Sequence, residues 1–185
     1  MMSALSSVLS SSTSARTAAA LLLSACAGLQ RQKSEPSNPS DLRLSGRISV
    51  QVAGDSGKAA GGNAGFELSG SPNAGQLELS TPLGSLLARA SWSEGEVLLQ
   101  TQEDQRRFAD LDALTRELLG EAIPVAALFD WLQGRPWPQA ASRSNAGSGF
   151  EQLGWQIDLS RSAERLIVAT RIAAPVVTLR ARIEP

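Results

Sequence analysis

The sequence predicts a mainly β domain with some α: a barrel or strongly curved antiparallel sheet, with two short helices packed against it. Three observations predict this. Apolar residues alternate with polar ones in many short segments, turn residues separate these segments at regular spacing, and one central stretch changes to the period of a helix. At 185 residues, 42% hydrophobic and 19% charged, the chain can build one domain with a real core.

The pattern begins only at Leu42. Residues 1–16 are Ser-rich and uncharged until Arg16, and Thr17–Ala25 is an apolar run too short to span a bilayer. Such a run is a signal-peptide core. It ends in Leu23-Ser24-Ala25-Cys26, which resembles the bacterial lipobox, so residues 1–25 are expected to be a signal peptide. Cys26 is then expected to carry its lipid covalently, as an S-diacylglycerol and an N-acyl chain such as palmitate. Several chains, each contributing about 0.8 kcal/mol per buried methylene, suffice for stable anchoring. Lipoprotein sorting retains chains with Asp after the cysteine in the inner membrane; Ala27 stands there, so the expected location is the outer membrane, lipid-anchored and facing the periplasm. Residues 26–41, polar and with two prolines after the cysteine, suit a flexible tether, and the folded domain is expected over 42–185.

In the first folded segment Leu42, Leu44, Gly46, Ile48, Val50 and Val52 share one face, and Arg43, Ser45, Arg47, Ser49 and Gln51 the other. That is a half-buried strand. Alternation recurs at Phe66 and Leu68, at Leu77 and Leu79, and at Leu86, Ala88, Ala90 and Trp92. It returns at Trp155, Ile157 and Leu159, at Leu166 and Val168, and at Val177, Leu179, Ala181 and Ile183. Gly54–Asn63 reads as a Gly-rich loop, Ser71–Gly75 as a tight connection, Ser93-Glu94-Gly95 as a hairpin and Pro138–Gly149 as a long Ser/Gly loop.

Between the strand blocks, Leu111, Leu114 and Leu118 lie on one face of a helix starting near Asp110 and stopped by Gly120. Pro124 opens a second helix, in which Val125, Leu128, Phe129 and Leu132 follow helical spacing and Gly134 and Pro136 mark the end. A sheet with one apolar face under such helices either packs solid or encloses a cavity.

Several function classes are excluded by composition. There is no His and no Tyr, and Cys26 is the single cysteine, so zinc sites, imidazole-based triads and disulfide frameworks are not available. No metal, cofactor or catalytic group is expected. The net charge of -1, with arginines scattered apart from Arg106-Arg107, offers nucleic acid no basic stripe. Glu94 and Glu96 read as solvated hairpin charges, not an acid/base pair, and the tryptophans (92, 131, 137, 155) as core or cavity wall, not a sugar site. Gly61-Gly62 lacks the context of a phosphate cradle.

LRLSGRISV in the first strand, STPLGSLLARASW over Ser80–Trp92, FDWLQGRPW over Phe129–Trp137 and FEQLGW over Phe150–Trp155 together resemble the outer-membrane lipoprotein receptor family LolB. The resemblance covers most of the domain. It implies an incomplete antiparallel β-barrel enclosing an apolar cavity, with the short helices as a lid. It also implies a monomer that accepts acylated lipoprotein cargo from the soluble carrier LolA and inserts it among outer-membrane phospholipids, without catalysis. The cavity candidates are the inward residues Leu44, Ile48, Phe66, Leu79, Trp92, Leu128, Phe129, Trp155 and Leu179. In the family a protruding loop carries an exposed leucine implicated in delivery; Leu83, flanked by Pro82 and Gly84, takes that role by resemblance. Read alone, Leu83 would cap a hairpin and pack against its own strands. The rival reading from another class is an outer-membrane scaffold or assembly lipoprotein with a solid core; a hydrolase built on carboxylates alone is weaker.

Overall fold

The two ends of the domain meet in the middle of one sheet. A computed structural model describes residues 42–53 and 60–185; the leader, Cys26 and the tether lie outside the described residues. The strands are β1 (Leu42–Val52), β2 (Ala60–Gly70), β3 (Gly75–Ser80), β4 (Leu86–Ser93), β5 (Glu96–Thr101), β6 (Gln105–Phe108), β7 (Ser142–Ser144), β8 (Gly149–Gln152), β9 (Trp155–Asp158), β10 (Leu166–Arg171) and β11 (Val177–Ile183). They form a single curved, unclosed antiparallel sheet in the order β6-β5-β4-β3-β2-β1-β11-β10-β9-β8-β7. β1 pairs with β2 from Leu42↔Gly70 to Val52↔Ala60 and with β11 from Gly46↔Ile183 to Val52↔Val177.

This order dictates where the helices go. β6 and β7 are the two outer edges, and they are consecutive in sequence, so the connection between them must pass from one edge to the other. Crossing the apolar face satisfies both that path and the burial of the face. The connection contains α1 (Leu111–Leu119) and α2 (Val125–Trp131). The Asp110 carboxylate caps α1 by accepting from the Ala113 N–H at 2.7 Å, and Gly120 ends it in the left-handed conformation at φ 77°. α2 is buried at six of its seven residues. It is therefore a plug inside the curved sheet, and only α1 has the exposed flank of a lid.

Three expectations need correction. In β10 the buried residues are Ile167 and Ala169, not Leu166 and Val168. Leu166–Ala169 is continuously apolar, so the sequence carries no phase, and pairing of Ile167 with Ala181 and Ala169 with Leu179 decides it. The expected loop 54–63 is shorter, because residues 60–63 extend β2 against β1. The expected loop 138–149 contains β7, an exposed edge strand without an apolar residue.

Part of the inner face is filled by aromatic rings. Trp92 meets Phe129 edge-on with ring centroids 6.0 Å apart, and Trp131 lies 6.0 Å from Trp155. The buried Gln152 amide fixes the surroundings of Trp131: its Oε1 accepts from Trp131 Nε1 (2.8 Å) and the Trp137 N–H (2.9 Å), and its Nε2 donates to the Trp137 and Ala140 carbonyls (2.8 and 2.7 Å). Every polar site of that side chain is used, as burial requires.

The seam between β1 and β11 depends on Gly46, where a Cβ would lie 2.0 Å from the Arg182 carbonyl oxygen. Gly46→Ala is expected to force the strands apart and lower stability by about 1–3 kcal/mol. Urea unfolding followed by tryptophan fluorescence measures this, and an unchanged midpoint would contradict the close approach.

Candidate functional site

Another part of the inner face is hollow. The strands there present Ala64, Ala88 and Ala90 between Ile48, Val50, Leu77, Leu79, Leu99 and Leu179, and these small side chains do not fill the curve. The helical segment closes over them with Leu114, Leu118, Leu119, Ile123, Val125 and Leu128. A cavity of about 290 Å³ remains, at the lower end of the roughly 300–1,000 Å³ usual for ligand pockets. No ionisable side chain lines it. Of its two polar side chains, Thr115 is turned inward on itself: its hydroxyl donates to the Leu111 carbonyl at 3.1 Å and accepts from the Ile123 N–H at 3.0 Å. The other, Asn63, is exposed at the edge, so the interior of the wall is apolar and suits a hydrocarbon chain.

The mouth is rimmed by Leu87 and Leu118, each 45% exposed. Leu87 owes its place to a β-bulge: Leu79 pairs with Ala88 and Ser80 with Leu86, so Leu87 has no partner on β3. α1 is held across the opening by an ion pair between Arg106 on β6 and Glu117. A second pair, Arg171 with Glu121 at 2.7 Å, ties β10 to the connection between the helices.

Of the nine cavity candidates, Ile48, Leu79, Leu128 and Leu179 line this space. Phe66, Trp92, Phe129 and Trp155 do not; they are buried in the solid part of the core, and Leu44 packs against its margin. Sequence reasoning favoured the large apolar residues, whereas a void forms where inward positions are small. Ala88 and Ala90 alternating within β4 were the available signal. Leu87 and Leu118 carried none, because a bulge and a helix exposed at a rim are tertiary features.

Leu83 is 95% exposed at the tip of the β3–β4 connection. The loop is braced from within. The Gly84 N–H donates to the Thr81 carbonyl (2.9 Å), the Thr81 N–H to the Ser85 carbonyl (2.8 Å) and the Ser85 N–H to the Thr81 hydroxyl (3.1 Å). Gly84 takes φ 85°, which a turn followed by a left-handed residue requires. The leucine is thus held out of the core by a rigid turn.

Elsewhere the chemistry is that of an ordinary surface. Glu96 pairs with Arg107 at 3.1 Å and Glu94 is exposed, so these two carboxylates are hairpin charges. The Asp158 carboxyl is held below its usual range by the Ser160 N–H, and that of Glu164 by the hydrogen bond from Arg161. Both sit at the turn after β9, outside the cavity. No metal-binding cluster of His, Cys, Asp or Glu occurs among the described residues.

Comparison with known proteins adds a family. The model of the LolB family, described as outer membrane lipoprotein LolB, matches residues 40–183. Among curated proteins the chain is similar to the outer-membrane lipoprotein LolB of Chromobacterium violaceum (32% identity over 149 residues, covering 78% of this chain and 80% of that one). It is also similar to those of Bordetella petrii (35% over 149 residues, 76% and 73% covered) and Pseudomonas aeruginosa (32% over 165 residues, 78% of each).

If the space beside Ala90 takes an acyl chain, Ala90→Leu should occupy it with side-chain carbon while keeping the fold. Excluding about two methylenes at roughly 0.8 kcal/mol each predicts about tenfold weaker binding. Displacement of a fluorescent fatty acid, read beside a thermal unfolding curve, tests this; unaltered affinity would place the lipid elsewhere.

Proposed function

Because this chain belongs to the LolB family of outer-membrane lipoproteins, we propose that it takes acylated lipoproteins from the periplasmic carrier LolA into its cavity and releases their acyl chains into the outer membrane. It is an outer-membrane lipoprotein receptor of the Lol pathway, not an enzyme. The observation that carries the route is the 290 Å³ apolar cavity without an ionisable wall.

Acyl chains exposed to water are costly, so cargo moves from one apolar container to the next. Graded affinity alone drives this forward, with about 1.4 kcal/mol needed for each factor of ten. Small inward residues leave the receiving space, and α1 is the element that yields when the chain enters. Leu83 then contacts the bilayer and couples the loaded domain to its destination. Cys26, carrying its diacylglyceryl group before residues 1–25 are removed and its N-acyl chain after, holds the domain at the membrane through the tether 26–41, and the domain works as a monomer over 42–185. The scaffold reading requires a solid core, which the hollow half of the inner face does not favour.

Leu83→Glu is expected to leave stability within about 0.5 kcal/mol, since the side chain is almost fully exposed. It should still accept cargo from loaded LolA yet fail to pass it to liposomes. Equal transfer by the variant, or transfer without any receptor, would overturn the reading. Cys26→Ala, exported with a cleavable leader, should lose membrane localisation in fractionation while keeping fatty-acid affinity within about twofold, a shift of roughly 0.4 kcal/mol.

A further inference from the structure

Six large apolar side chains are markedly exposed among the described residues: Leu83, Leu87, Leu118, Leu153, Ile172 and Val176. Leu87 and Leu118 belong to the cavity mouth. The other four all lie on connections at one end of the sheet. β3, β8 and β10 run toward the end at which β1 finishes, so the β3–β4, β8–β9 and β10–β11 connections share that rim. The turns at the opposite rim, 71–74, 94–95 and 159–165, carry none of the six.

Leu153 is the informative member. It forms a two-residue hairpin with Gly154, with φ of 54° and 76°, a turn whose first position ordinarily holds Asn, Asp or Gly. A leucine in that backbone conformation is disfavoured, and this one is also 46% exposed. Local folding gains nothing from it. Leu153 and Ile172, the latter 63% exposed, border one shallow recess whose charged members, Arg143 and Glu151, are register partners across β7 and β8.

We propose that Leu153 and Ile172 form a second membrane contact, so that the whole rim, with Leu83 at one point and this pair at another, rests on the phospholipid surface. The proposal rests on the delivery role of Leu83 stated above. A bilayer is the occupant because apolar tips on separate connections of one rim suit a plane, whereas a protein groove would need them contiguous. The cavity lining also reaches this rim at Gly61, Gly62 and Leu87, so docking would turn the mouth toward the lipid. β1 begins at the far rim, about 35 Å away along the strand. Residues 26–41 reach roughly 55 Å when extended, enough to let an anchored domain turn this rim downward.

The test uses the full lipid-anchored chain in vesicles of phosphatidylethanolamine and phosphatidylglycerol. An environment-sensitive nitrobenzoxadiazole label is attached in turn through Leu83→Cys, Leu153→Cys, Ile172→Cys and, on the opposite rim, Asn73→Cys. Blue-shifted emission quenched by lipid-borne nitroxide is expected at 83, 153 and 172, with 73 remaining aqueous. An aqueous signal at 153 and 172 beside a buried one at 83 would overturn this proposal and leave the Leu83 reading standing; aqueous signals at all three would overturn both. Shielding at 153 and 172 only after the soluble carrier is added would make the pair a protein interface and overturn it as well. The paired variant Leu153→Asn, Ile172→Ser should raise or hold the thermal midpoint, because Asn tolerates the left-handed turn, and reduce delivery about tenfold with cargo acceptance unchanged. Unreduced delivery would also overturn the proposal.

Discussion

The pairing of β1 with β11 is the interaction on which the rest of the structure depends. It joins the first and last described strands and fuses two meanders, β1–β6 and β7–β11, into one sheet. A twisted antiparallel sheet this wide coils, and coiling makes one face concave. Because the meanders end at opposite edges, the chain between β6 and β7 has to bridge the open side. Without the β1–β11 seam the helices would have no trough to cross and the cavity no back wall, since Ile48, Val50 and Leu179 stand on those two strands.

Within the trough, residue size divides the work. Where Trp92, Phe129, Trp131 and Trp155 point inward, the space is solid, and Gln152 locks helix, loop and strand together by satisfying all its polar atoms internally. Where alanines alternate with aliphatic residues, the space stays open. The solid part supports the curve of the sheet, and the open part is where the proposed exchange of acyl chains would take place. A solid core throughout would be more stable and would have nowhere to put an acyl chain.

Charge is kept out of the cavity wall. Ion pairs such as Arg106–Glu117 and Arg171–Glu121 tie the crossing segment to the sheet from its flanks, and the cavity wall itself is neutral. Under the proposed route, exchange of cargo would require no proton or ion to move. The tie at α1, Arg106–Glu117, is at the protein surface, where a pair is worth roughly 0–1 kcal/mol, so it adds little to the apolar contacts that hold α1 over the mouth.

Periodicity in the sequence was enough for β1, β3, β4, β9 and β11, for both helices with the Asp110 cap and the Gly120 stop, and for the inward face of most strands, because these depend on neighbours a few residues apart. The braced turn around Leu83 was legible for the same reason, from Pro82 and Gly84. Which face of Leu166–Ala169 turns inward, the existence of β7, the bulge at Leu87 and the placement of α2 inside the sheet were not, since each is settled by a partner far along the chain. The cavity belongs to this second group. The sequence by itself determined that an apolar face exists and most of the residues that compose it; only the tertiary structure decided which of them meet across a gap, because a void depends on how curved surfaces approach one another.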